Sequence, residues 1–224
     1  MPAVARPSPA RRLASLAATA LVAATSLFSP ARAEAADFDF YVLSLSWSPT
    51  WCETNDRSGR TAQCDARRRH TFIVHGLWPQ HERGWPESCP TDQPRHVPDR
   101  LVRENFDIMP SAGLAGHQWR KHGTCSGLDQ TRYFRTIRAA YSKVRLPQTV
   151  LDGKIPRRIA VDDIEDLLIA ANPGLTRDAV AVTCDRGRLE EIRICMTKSL
   201  DFRPCPQVDR NACRQRLISI SPIR

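Results

Sequence analysis

No stretch beyond residue 33 stays apolar for the ~20 residues that a membrane-spanning helix needs, so no membrane partner is expected. No H-E-x-x-H pair occurs, which removes the usual zinc-protease ligands. No G-x-S-x-G turn is present to raise a nucleophilic serine. No C-x-x-C pair exists either: the nearest two cysteines are Cys205 and Cys213, a poor spacing for a thiolate metal cluster. Internal repeats are absent, and strands do not alternate with helices in a βαβ rhythm, which argues against a doubly wound parallel sheet.

What is present begins with a leader. Arg6, Arg11 and Arg12 precede an apolar run from Leu13 to Phe28, and Ala31-Arg32-Ala33 supplies a small-residue cleavage signal. Residues 1–33 therefore read as a signal peptide, and 34–224 as one catalytic domain. Removing the first 33 of 224 residues would leave 191 and would take away four arginines, lowering the formal charge from +9 to +5. A mildly basic chain attracts polyanions without specifying one. All eight cysteines follow the leader, as expected of disulfides formed in an oxidising compartment, so a secreted or periplasmic location is predicted. Cys195 with Cys205 and Cys184 with Cys213 would make a nested clasp, with Cys52–Cys64 and Cys89–Cys125 following. Eight cysteines allow about a hundred connectivities, and the choice stays open.

Phe38 to Trp47 alternates large apolar with small polar residues, the pattern of a half-buried strand that Ser48-Pro49 ends. Residues 53 to 70 read as a loop closed by Cys52–Cys64. Phe72-Ile73-Val74 reads as a buried central strand ending at His75, and Pro79 to Pro98 as irregular surface. Helices are predicted from Pro98-Asp99, through the His117 region until Gly123, over Thr131 to Val144, and from an aspartate cap at Asp162 to Ala171. Ala179 to Cys184 and Leu189 to Thr197 form a hairpin around Asp185-Arg186-Gly187-Arg188. The fold class is α+β: a single disulfide-bonded domain with a central, mostly antiparallel sheet flanked by helices.

Two blocks carry the chemistry. Thr71 to Gln80 contains Val74-His75-Gly76-Leu77-Trp78-Pro79, and His117 to Cys125 reads His-Gln-Trp-Arg-Lys-His-Gly-Thr-Cys. On a helix His117 and Lys121 share a face, as do Gln118 and His122, while His117 and His122 diverge by ~140°. That spacing disfavours a metal. Histidines beside a lysine suit cleavage of RNA, where the adjacent 2′-hydroxyl is the nucleophile and the protein supplies a base, an acid and cations. An imidazole with an ordinary pKa of ~6.5 fills either proton-transfer role.

These blocks resemble the two active-site segments of the ribonuclease T2 family: secreted, disulfide-bonded, metal-independent endoribonucleases. The likeness extends to Leu43-Ser44-Leu45-Ser46-Trp47-Ser48-Pro49 with Cys52, and to the C-terminal cysteine hairpin. The resemblance implies single-stranded RNA as substrate, no cofactor and a monomer. It implies His75 as the acid for the leaving oxygen, His122 as the base for the 2′-hydroxyl, His117 on phosphate and Lys121 on the pentacovalent charge. Trp78, Trp119 and Tyr41 would line the substrate, and a 2′,3′-cyclic phosphate would be formed. The family usually has glutamate where this chain has Gln118. An amide hydrogen-bonds but carries no charge, which leaves a rival reading: an RNA-binding or interaction protein with reduced catalysis.

The remaining candidates have plainer readings. His70, His81 and His96 sit in loops as solvated surface, and Trp47, Trp51 and Trp85 serve packing as readily as base stacking.

Overall fold

A computed structural model describes residues 1–3 and 37–223; the leader predicted over 1–33 lies outside them, apart from its first three residues. Among the described residues six strands form one sheet: β1 (Phe40–Trp47), β2 (Phe72–Gln80), β3 (Arg158–Ala160), β4 (Val180–Asp185), β5 (Arg188–Met196) and β6 (Leu217–Ser219). Their order is β2-β1-β5-β6-β3, with β4 on β5, and every pairing is antiparallel except β5 with β6. Helices α1 (Ser48–Asn55), α2 (Asp99–Glu104), α3 (Ala112–Lys121), α4 (Gln130–Lys143), α5 (Gln148–Leu151), α6 (Val161–Ala171) and α7 (Pro206–Asp209) surround it. The α+β class holds.

β1 is buried along its whole length rather than half-buried. Tyr41, Leu43, Leu45 and Trp47 enter the main core, where each large side chain contributes about 1.5–3 kcal/mol by leaving water. Phe40 and Val42, on the opposite face, pack in a second cluster with Ala181, Cys195, Cys205 and Val208. Ser44 and Ser46 continue that second face. Both faces are therefore covered, and alternation alone could not show it.

Two boundaries also differ from the sequence reading. Ser48-Pro49 starts α1 instead of an irregular break, because proline suits the first helical turn, where its missing N–H is no loss. β2 does not stop at His75 but continues to Gln80, at the edge of the sheet instead of its centre. An edge strand tolerates Pro79 because one side of it has no ladder to feed. The helix read from Asp162 begins at Val161 with no side-chain cap; Asp162 and Asp163 occupy its first turn, where they favour the positive end of the helix dipole.

The four disulfides are Cys52–Cys64, Cys89–Cys125, Cys184–Cys213 and Cys195–Cys205, the pairing sketched from the sequence. Cys89–Cys125 joins the proline-rich loop to the short turn Gly123–Cys125 that follows α3. Ser88 N–H donates to Lys121 O at 2.8 Å and Trp119 Nε1 to Pro94 O at 2.8 Å, fixing the same junction. Among the described residues no helix is long and apolar enough to cross a membrane.

Candidate active site

β2 and α3 present the two blocks to each other. Ser44 of β1 pairs with Gly76 and Leu45 with Val74, so His75 is the extra residue of a β-bulge. A bulge re-aims the side chain it displaces, and bulges concentrate beside active sites. α3 starts at Ser111, whose hydroxyl caps the helix by accepting from Leu114 N–H at 3.1 Å. It ends at Lys121, and His122 leaves the helical path with φ −119°. Gly123 ends the helix by close approach: a Cβ there would lie 2.3 Å from the Trp119 ring and 2.9 Å from Tyr133.

His75, Trp78, His117, Gln118, Lys121 and His122 line one cleft of about 430 Å³ with Arg193 and the exposed Trp85. The ideal-helix divergence of His117 from His122 does not separate them, since His122 sits past the last regular turn. A second cleft of about 500 Å³ shares His75 and His117 and continues past Ser46, Trp51 and Ser111. The two spaces meet at these imidazoles.

Trp78 organises the first cleft. Its ring stacks on His122 at 5.3 Å between centroids and 28° between planes, and meets His75 edge-on at 5.3 Å. Its Nε1 donates to Gln118 Oε1 at 2.8 Å. That bond runs directly beneath Gly76, where a Cβ would stand 2.1 Å from Gln118 Oε1 and 2.4 Å from Trp78 Nε1. Gln118 is only 1% exposed, so the residue that departs from the family pattern is a buried acceptor as well as a wall of the cleft.

The imidazoles differ in environment. His122 is buried, and its Nδ1 has no hydrogen-bond partner. An imidazolium would need both N–H groups satisfied, so burial is costly for the charged form. Burial first, then the charges of Lys121, His75 and His117, push His122 down to about 3. His117 is exposed, and partial desolvation followed by Lys121, His75 and Arg120 holds it below the ordinary histidine range. His75 Nδ1 is hydrogen-bonded to Glu191 Oε1. The Arg193 guanidinium grips Glu191 Oε2 with Nε at 3.0 Å and Nη2 at 2.8 Å. Burial raises Glu191, but His75 and then Arg193 outweigh it and draw the carboxyl down to about 2. Lys121 Nζ is 3.5 Å from Glu87 Oε2; both are well exposed, so this pair holds the lysine only weakly.

Two expected substrate contacts are not in the cleft. Trp119 is fully buried against Tyr133, its indole N–H spent on Pro94 O. Tyr41 points to the main core beside Phe38, and burial pushes its phenol up to about 12. In both cases an aromatic near the motif belongs to the opposite face of its element. His70, His81 and His96 line neither cleft. Glu191 and Arg193 went unrecognised in the sequence, where they read as part of one strand of a hairpin. The available signal was their spacing: two apart, they share one face of a strand whose neighbour carries Ser44 and Ser46. Among the described residues no three His, Cys, Asp or Glu side chains are grouped to hold a metal ion.

A disulfide-bonded α+β domain with three imidazoles and a lysine around one cleft defines the class. Residues 38–205 match the Ribonuclease T2 family, and the chain belongs to that family. A ribonuclease of Aeromonas hydrophila is 43% identical over 102 residues, covering 45% of this chain and 43% of that protein. The chain thus spans less than half the length of that relative. Among solved structures, the RNase-related protein from Calystegia sepium is 24% identical with a TM-score of 0.68, covering 84% of this chain and 98% of that one. RNase NT in complex with 5′-AMP is 22% identical with a TM-score of 0.65, covering 83% and 99%. These two likenesses concern the fold.

Proposed function

We propose that the chain is an endoribonuclease that cleaves single-stranded RNA by acid–base transesterification without a metal ion, exported by a leader over residues 1–33. The observation that carries the proposal is the gathering of His75, His117, Lys121 and His122 around one cleft. His122, held neutral by burial, takes the 2′-hydroxyl proton as the oxygen attacks phosphorus. His75 protonates the departing 5′-oxygen, giving a 2′,3′-cyclic phosphate and a free 5′-hydroxyl. Lys121 and His117 meet the charge on the phosphorane; His117 gains its proton readily once an anion sits beside it. Trp78 holds the His122 ring in plane and offers a face to a base. Two clefts meeting at His75 and His117 leave room for a nucleotide on each side of the phosphate. The nucleotide bound in the related RNase NT fits such a site. Four disulfides fit an oxidising compartment outside the cytoplasm.

The test is RNA cleavage by the mature chain in EDTA, beside His75→Ala and His122→Ala. Cleavage should persist in EDTA and fall by roughly 10²–10⁴-fold in each variant, the range of a lost acid or base. Activity abolished by EDTA would instead indicate a metal-dependent hydrolase. RNA binding without cleavage would favour the interaction protein suggested by Gln118.

A further inference from the structure

A buried charged group beside the cleft, Glu191, has no part in the proposed proton transfers. Glu191 lies on β5 with its side chain 6% exposed, and both of its oxygens are committed: one to His75 Nδ1 and one to the Arg193 guanidinium. The sheet register explains how the three meet. Ser46 of β1 pairs with Glu191 and Ser44 with Arg193, while Ser44 pairs on its other side with Gly76. The two serines are the smallest side chains on that face of β1, so a β5 carboxylate can reach across β1 to the bulged His75 of β2. Arg193 also lies over the Trp78 ring at 5.4 Å, which fixes its plane at the cleft wall.

We infer that Glu191, held by Arg193, is a positioning residue for His75: it accepts Nδ1–H and so leaves Nε2 as the nitrogen that exchanges a proton with substrate. This rests on the proposed acid role of His75. An ionised carboxylate accepts hydrogen bonds and never donates them, so the proton between the two groups belongs to Nδ1 in either charge state of the ring. The groups around His75 explain why such a partner matters. His117, Lys121 and His122 approach from α3 and its end, Arg193 from β5 and Trp78 from β2 itself, while Asp185 and Glu190 line the second cleft that His75 shares. Glu191 is the acceptor bonded to Nδ1, so it sets the tautomer and the plane of the ring. A purely structural ion pair between neighbours on β5 would need only Arg193; the contact to His75 crosses a strand.

Leaving-group dependence separates positioning from mere support. Protonation by His75 matters when the leaving group is a 5′-alkoxide and hardly matters when it is a nitrophenolate, which departs without a proton. With the mature chain, Glu191→Gln should lower kcat on RNA about 10²-fold, with KM within roughly threefold. On a nucleoside 3′-(4-nitrophenyl phosphate) the loss should be less than about tenfold, the pattern His75→Ala should show more strongly. Equal losses on both substrates, or none on either, would overturn the inference. A second measurement needs no activity: nitrogen-15 spectra of histidine-labelled wild-type protein should show neutral His75 protonated at Nδ1, and the proton at Nε2 would overturn it. Wild-type protein inactive on both substrates would count against the proposed function, while the ring spectrum would still decide the role of Glu191.

Discussion

On the sheet side of the cleft, His75 is half-exposed and hydrogen-bonded to a buried carboxylate; on the helix side, His122 is buried, unpartnered at Nδ1 and surrounded by cationic neighbours. The residue type is the same and the two rings differ in burial and in their hydrogen-bond partner. At His122 desolvation, followed by the neighbouring cations, disfavours the imidazolium. Under the proposed mechanism the buried ring is the proton acceptor and the carboxylate-bound ring the proton donor. The difference comes from strand and helix: a sheet lines up side chains from neighbouring strands, so His75 gains Glu191, while the end of α3 is packed under Trp78 and Gly76 and excludes solvent.

The comparison can be broken at the point where the two walls touch. Gly76→Ala forces a methyl group into the Trp78–Gln118 hydrogen bond, so Trp78 must shift and His122 loses the ring stacked on it. kcat/KM on RNA should fall roughly 10²-fold, in line with the cost of a misplaced catalytic group, and a change under threefold would show that Trp78 does not order the helix wall. Gln118→Glu probes the same wall more gently. A carboxylate still accepts from Trp78 and adds a negative charge to a cationic cleft, so the rate should change by less than about tenfold, with the acid limb of the pH profile moved upward as His122 is more easily protonated. An unmoved profile would mean that the amide matters for packing alone. The smallest effect is expected at Tyr41→Phe. The phenol faces the main core, not the cleft, so kcat/KM should stay within about twofold while thermal stability shifts by on the order of 1 kcal/mol or less; a tenfold loss of activity would return Tyr41 to the substrate site.

Much of this was legible in the chain because chemistry and local pattern coincided. His75 and the His117–Cys125 block carry unusual residues close together, and α4 shows helical periodicity strong enough to read directly: Tyr133, Phe134, Ile137 and Ala140 are its buried face. What stayed hidden depends on pairing. β2 reads as a buried central strand because Phe72-Ile73-Val74 is apolar, and only the sheet order makes it an edge. The bulge at His75 is a property of the β1 register, not of β2 alone. Trp119 and Tyr41 lie near the motifs in sequence, but the opposite faces of their elements carry them into the core. Glu191 sits 116 positions from His75, and no local pattern links them. β3 and β6 are three residues each, too short for alternation to register.

The pH dependence of kcat/KM for RNA cleavage tests the difference between the two rings most directly, since that profile reports the free enzyme. A base whose pKa is pushed down to about 3 remains unprotonated as the pH falls well below the ordinary histidine range. With EDTA present and folding monitored at each pH, the account predicts an acid limb half-complete below about pH 4. An acid limb centred near 6.5, the ordinary imidazole value, would contradict it, because His122 would then titrate as a solvated histidine and burial would not be what makes it the base.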